Sequence, residues 1–187
     1  MAADRQSVLV AAQRALNADP TASMASVAEA AGISRATLNR HVESREALLV
    51  ELGTRSLDRW ERRMDEVDVE RIAATADADA IRAALETLVL AYVDDSEEFG
   101  FALTDTVILA NAEIEERTIR LADREAVLFA AAQECGVLRA DLPRRWVGHA
   151  VYGLLVAGRE AVRLGDVARR DVGRLVLSSL LTGVSTP

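Results

Sequence analysis

The chain has 187 residues, half of them hydrophobic, with a net charge of −8 and one cysteine. Its hydrophobic content excludes a disordered chain, and the lone thiol of Cys135 excludes an intrachain disulfide framework and fits a reducing cytoplasm. The acidic balance argues against general coating of nucleic acid, yet the charge is uneven: residues 1–50 hold five arginines against five acids, while the other 17 arginines face 25 acids.

Alanine, leucine, arginine and glutamate dominate, and glycine and proline fall between periodic segments. These are good helix formers, and no strand-like alternation or internal repeat interrupts them. The pattern predicts an all-α chain of about nine helices. The first spans about 5–17, with Val8, Leu9, Ala12, Ala15 and Leu16 as its apolar stripe. Asp19-Pro20-Thr21 ends it, because proline restricts the residue before it. A short helix follows the N-cap Ser23 and turns Val27, Ala28 and Ala31 inward; Gly32 closes it. Ser34 caps a third helix over 35–41, and Ser44 a long fourth over about 45–66. Residues 67–80 read as a loop or weak helix edge. Further helices are predicted at about 80–94, 97–110, 113–134, 143–164 and 166–183. The separators are Asp94-Asp95-Ser96, the Asn111 region, residues 135–142 and Gly165. The acidic runs Asp94-Asp95-Ser96-Glu97-Glu98 and Glu113-x-Glu115-Glu116 fit helix starts, where negative charge is favoured.

Met1-Ala2-Ala3-Asp4-Arg5 has no apolar run behind it and reads as no signal peptide. The longest uncharged stretches, 146–158 and 175–187, have 13 residues each, against the ~20 a membrane span needs. The expectation is a soluble cytoplasmic protein with no membrane partner.

Residues 23–49, SMASVAEAAGISRATLNRHVESREALL, are the most informative. Two short helices joined by a tight glycine turn are what a DNA-binding helix-turn-helix requires. Ala28 and Ala31 let the helices approach, Ile33 and Leu38 fill the space between them, and Val42 closes the far end. The third helix then exposes Arg35, Ala36, Thr37, Asn39, Arg40 and His41 to a major groove. Arginine pairs bidentately with guanine and asparagine with adenine, and the methyls of threonine and alanine touch thymine. Ser23, Ser26, Thr37 and His41 suit phosphate oxygens; Ser34 and Arg45 complete the set of DNA-facing candidates. All 22 basic residues are arginine. The bland reading is codon bias in a GC-rich genome, but any such contact comes from a bidentate guanidinium. On spacing alone, a short polar surface hairpin fits the same segment.

The order of residues goes further. Val27-Ala28-Glu29-Ala30-Ala31-Gly32-Ile33-Ser34, then Thr37-Leu38-x-Arg40-His41, then Ser44-Arg45-Glu46-Ala47-Leu48-Leu49 closely resembles the signature of the TetR family of transcriptional regulators. Gly136-Val137-Leu138-Arg139-x-Asp141-Leu142-Pro143 also looks like many C-terminal domains of that family. Two positions depart from it. Asn39 stands where the family usually has a phosphate-contacting tyrosine, and Val42 where it usually has a phenylalanine plug.

The resemblance implies a DNA-binding domain over 1–50 and a regulatory and dimerising body over 51–187. It implies a non-enzymatic repressor, a homodimer on a palindromic double-stranded DNA operator, released by a small effector. Residues 146–158 are apolar nearly all round and so are expected to be buried. Gly148, Gly153, Ala157 and Gly158 allow close helix approach, and Leu175, Val176, Leu180 and Leu181 offer a second face. Trp146, His149, Gly153, Val156, Ala157, Leu175, Val176 and Leu180 are the interface candidates, with intramolecular core as the competing reading.

The family's pocket lies in the body. Candidate lining residues are Trp60, Met64, Leu85, Leu88, Tyr92, Phe101, Val107, Ile108, Asn111, Phe129 and Tyr152, with Arg117 and Arg120 as further polar candidates. Aromatic residues and methionine at helical spacing also read as plain core. A pocket of this composition suits a lipophilic effector. The alternatives are a DNA-binding dimer controlled by a protein partner, and a helical scaffold whose hairpin only mimics the motif.

No phosphate-binding glycine loop occurs, and neither His41 nor His149 lies in a Glu-x-x-His pattern. One cysteine and two distant histidines make no zinc set. Cys135, at a helix end in apolar surroundings, reads as inert rather than as a nucleophile for His149. No metal, cofactor or catalytic group is expected.

Overall fold

The computed structural model describes residues 4–184; the start at Met1-Ala2-Ala3 and the last three residues of the second uncharged stretch lie outside them. Ten α-helices and two 3-10 turns make up the described chain, with no strand among those residues. The chain forms two compact units. One ends at Asp58 and takes in Glu97–Glu116, and the other holds Arg59–Ser96 and the residues from Arg117 on.

In the first unit, α1 (Arg5–Ala18), α2 (Met24–Ala30), α3 (Arg35–His41) and the start of α4 (Arg45–Val67) follow the predicted limits closely. Local capping explains why. Asp4, Ser23 and Ser34 each accept a hydrogen bond from the backbone N–H three residues on, and Ser44 accepts from Ala47 at 3.0 Å. α2 ends in a Schellman turn: Gly32 donates to Glu29, and Ile33 to Ala28, with Gly32 at φ +67°. Only glycine takes that conformation without strain. Val8, Leu9, Ala12 and Leu16 of α1 form a core with Val27, Ala28, Leu38, Val42, Leu48, Leu49 and Leu52.

The same unit contains a segment from further along the chain. Asn17 donates to the carbonyl of Glu97, and its own oxygen accepts from the Phe101 N–H at 3.4 Å. Gly53 of α4 has so little clearance that a Cβ there would lie 2.9 Å from both Ile108 and Ile114. These contacts carry the unit beyond the expected boundary at residue 50.

The second unit contains the rest of α4, α5 (Val69–Ala73), most of α6 (Ala78–Phe99) and of α8 (Ala112–Glu134), with α9 (Arg144–Leu164) and α10 (Val172–Val184). α5 forms within 67–80, where the sequence predicts a loop or weak helix edge. Its core includes Met64, Ile81, Leu85, Leu88, Leu121, Leu128, Phe129, Val147, Val151 and Val176. α9 closes on Gly165 at φ +81°, where Asp166 donates back to Ala161. α10 packs against α9 where Gly158 lacks a side chain; a Cβ there would lie 2.8 Å from Val172.

One predicted break is wrong. Asp94-Asp95-Ser96 does not separate two helices; α6 runs through it, and the chain leaves the helix at a 3-10 turn over Gly100–Leu103 before the short α7 (Thr106–Leu109). Negative charge near a helix C-terminus is unfavourable, and here cations offset it. Arg59 and Arg63 of α4 both reach the Asp95 carboxylate at 2.9 Å. Glu113 and Glu115 do occupy the first turn of α8, as expected.

Candidate functional site

The helix-turn-helix presents a polar surface around one buried anchor. Leu38 is 0 % exposed. Arg35, Ala36, Asn39 and Arg40 are exposed around it, and Thr37 and His41 are half-buried. With 3.6 residues per turn, one inward leucine in a seven-residue helix leaves the other positions to solvent. Ser34 accepts from the Thr37 N–H at 3.1 Å and lies 2.9 Å from its hydroxyl, fixing the helix start. Among the described residues Arg40 reaches Thr37 alone, at 3.5 Å. Arg35 makes no hydrogen bond to protein among the described residues, so its donors stay available. Val42 is buried and occupies the plug position despite its smaller size.

Three candidates have structural work of their own. Ser23 caps α2 through the Ser26 N–H, and the two hydroxyls lie 3.0 Å apart; both remain exposed. Arg45 is a correction. It is half-buried and donates to the Pro20 carbonyl at 2.6 Å and to the Ala22 carbonyl at 3.4 Å. Its guanidinium braces the α1–α2 connection, so it is not a free phosphate contact.

The expectation that 146–158 is buried all round also fails. Val147, Val151 and Leu155 face inward, whereas Trp146 is 54 % exposed and His149, Tyr152, Gly153 and Ala157 are exposed. Val156 is half-buried, and on α10 Leu175 is exposed. The inward residues recur every four, so one stripe is core and the opposite face stays open. Val176 and Leu180 belong to the inner stripe, at 3 % and 1 % exposure. They are core, not interface, which corrects their assignment.

The pocket candidates divide. Met64, Leu85, Leu88, Tyr92 and Phe129 are buried in the second unit, with Trp60 half-buried beside them. Tyr152, in the same unit, is on the outer surface of α9. Phe101, Val107, Ile108 and Asn111 lie in the first unit. There Ile108 packs on Gly53, and Asn111 caps α8 by accepting from the Ile114 N–H at 3.1 Å. Arg117 pairs with Glu61 at 2.6 Å.

One residue of the second unit escaped the sequence reading. Glu125 of α8 is 4 % exposed. Trp60 donates from Nε1 to Tyr92 Oη at 2.8 Å and to Glu125 Oε1 at 3.3 Å, and Tyr92 is also hydrogen-bonded to Glu125. Burial lifts the Glu125 carboxyl to about 7, against the pull of those two bonds. Burial and the neighbouring carboxylate together push the Tyr92 phenol well above its usual range. The signal was present: residues 121, 125, 128 and 132 share one face of α8, and an acid stands among Leu121, Leu128 and Ala132.

No family model matches the sequence. The repressor LfrR of Mycolicibacterium smegmatis is 29 % identical over 184 residues, 97 % of this chain and 90 % of that protein. The structure of the TetR-like regulator LfrR from Mycobacterium smegmatis in complex with proflavine matches with a TM-score of 0.65 and 25 % identity, covering 98 % of both chains. In sequence and fold the chain is similar to TetR-like transcriptional regulators. Its fold is shared by the ketosteroid regulator KstR2 of Mycobacterium tuberculosis, at a TM-score of 0.71 and 20 % identity over 100 % of this chain and 97 % of that one. The residues that resemble the TetR signature and the outward surface of α3 fall on the same short helix. Among the described residues no group of three potential ligands could hold a metal ion, and no helix is long and apolar enough to cross a membrane.

Proposed function

We propose that this regulator is a cytoplasmic repressor that binds a palindromic operator as a homodimer and is released by a small lipophilic effector. The observation that carries the DNA-binding part is α3: Arg35, Asn39 and Arg40 stand outward around buried Leu38. Arg35, Ala36, Asn39 and Arg40 read base edges, and Ser23, Ser26, Ser34, Thr37 and His41 hold phosphates. Asn39, in place of the usual tyrosine, exchanges a backbone grip for an adenine-reading amide.

The dimer rests on the open face of α9, where Trp146, His149, Gly153, Val156 and Ala157 recur at helical spacing, with Leu175 of α10. A second copy is its partner, and two heads then meet grooves ~34 Å apart or a multiple of it. The effector part draws on the LfrR complex with proflavine. α4 runs from the first unit into the second, so an effector held by the regulatory body reorients the reading heads through that helix. It shifts the equilibrium only by its differential affinity for the two forms.

The test is a gel shift with DNA from upstream of the protein's own gene, followed by operator selection. Protection of two half-sites one or two turns apart supports the proposal. Absence of any sequence-specific shift at low salt contradicts it.

A further inference from the structure

We propose that Arg45 is a positioning residue for operator binding: it touches no DNA itself, and it fixes the α1–α2 turn so that the hydroxyls of Ser23 and Ser26 meet the phosphate backbone. This rests on the DNA-binding reading above. Arg45 is the first residue of α4, and its side chain turns back onto the chain before α2. Nη2 donates to the Pro20 carbonyl at 2.6 Å, and Nε, more loosely, to the Ala22 carbonyl at 3.4 Å. Among the described residues no backbone N–H reaches either oxygen.

The turn is built to be held there. Ala22 donates to the Asp19 carbonyl at 3.0 Å, and Asp19 Oδ1 accepts from the Thr21 N–H at 2.9 Å and its hydroxyl at 2.6 Å. The Ala22 carbonyl lies in the peptide plane it shares with Ser23, so a donor on that oxygen also orients the entry to α2. Ser23 Oγ accepts from the Ser26 N–H at 3.2 Å, and the two exposed hydroxyls lie 3.0 Å apart. One hydroxyl hydrogen is used between them. The other is left for a phosphate oxygen.

The charge of Arg45 is spent inside the protein. Its guanidinium is half-buried on two carbonyl oxygens, whereas Arg35 and Arg40 stand exposed. Asp19 lies within its field: the carboxyl is held below its ordinary range, chiefly by its bonds to Thr21, with the Arg45 charge adding to them. A contact made by the serine hydroxyls carries no charge and releases no counterion. Losing it lowers affinity without changing the response to salt. Losing an arginine–phosphate contact changes both.

The experiment is a fluorescence-anisotropy titration of the full chain, over a range of salt, with a duplex that the wild-type protein selects from random sequence. Ser23→Gly with Ser26→Ala removes both hydroxyls and keeps a tolerated cap residue. It loses about tenfold in affinity, as loss of one neutral hydrogen bond at each of two heads does. Arg45→Gln loses about the same tenfold and keeps the wild-type slope of log affinity against log salt. The combined variant also loses about tenfold rather than about a hundredfold, because the arginine acts through the serines. Arg45→Lys keeps the charge but offers one nitrogen where two are used, and it too loses at least about threefold, so a folding defect in one variant does not decide the matter. A slope lower by about 0.9 or more in Arg45→Gln, or full affinity in Arg45→Lys, makes Arg45 a phosphate contact and overturns the proposal. Losses that multiply in the combined variant overturn it as well, since a weakened fold acts independently of the serines. Unchanged affinity in Arg45→Gln overturns it alone, whereas selection of no duplex by the wild-type protein overturns the DNA-binding reading with it.

Discussion

Glu125→Gln makes stability a direct readout of the buried carboxylate. Burial raises the carboxyl from its ordinary 4.5 to about 7, and each unit corresponds to about 1.4 kcal/mol. Below pH 4.5 the group is protonated in folded and unfolded chains alike, and contributes no penalty. Between 4.5 and 7 the unfolded chain ionises while the folded chain holds its proton, so stability falls as pH rises. Above about 7 both are ionised and the loss levels off at about 3 kcal/mol. Glutamine keeps the shape and does not titrate. It loses about 1 kcal/mol of charge-assisted hydrogen bonding at Trp60 and Tyr92. Thermal or urea unfolding of both proteins, at equal protomer concentration from pH 4.5 to 8, isolates the effect, since all other groups cancel. The difference moves by about 3 kcal/mol in favour of the variant as pH rises, roughly 6–12 °C in Tm for a chain of this size. A pH-independent difference, or one moving in favour of wild type with rising pH, would refute the reasoning.

Further outcomes follow from the packing and the open surfaces. Gly53→Ala puts a methyl 2.9 Å from Ile108 and Ile114; overpacking of ~1–3 kcal/mol outweighs the helix-propensity gain of ~1 kcal/mol, so urea unfolding shows a net loss of about 1 kcal/mol. Trp146→Glu places a charge on the open face of α9 and weakens self-association by at least about thirtyfold in sedimentation velocity, as loss of a central aromatic anchor does. An unchanged dimer would remove that face from the interface. Leu38→Ala empties the position beneath α3 and costs about 2–5 kcal/mol of stability, read by the same unfolding series.

The reading head was legible because its determinants are local. Serine caps, a Schellman turn at Gly32 and leucine spacing each act within a few residues, and the limits of α3 came out as read. Local signals misled wherever a distant partner decided. Asp94-Asp95-Ser96 looks like a break, but α6 continues because Arg59 and Arg63, about thirty residues earlier, neutralise Asp95. Periodicity marked Phe101, Ile108 and Phe129 alike as buried without telling which unit each joins. It also could not separate the two faces of α10, where Leu175 is open and Val176 is core. Arg45 carries no sequence mark of its bond to the Pro20 carbonyl. Glu125 draws no notice in the sequence because only its place in an apolar stripe distinguishes it.

The central claim is that α3 reads DNA through its outward side chains, and operator binding by Arg40→Ala tests it most directly. With the selected operator, the variant either lowers the slope of log affinity against log salt by about 0.9, as for one lost phosphate contact, or relaxes preference at one base pair by ~1–3 kcal/mol. Affinity, salt slope and base preference all equal to wild type, with Arg35→Ala behaving the same way, would contradict the account.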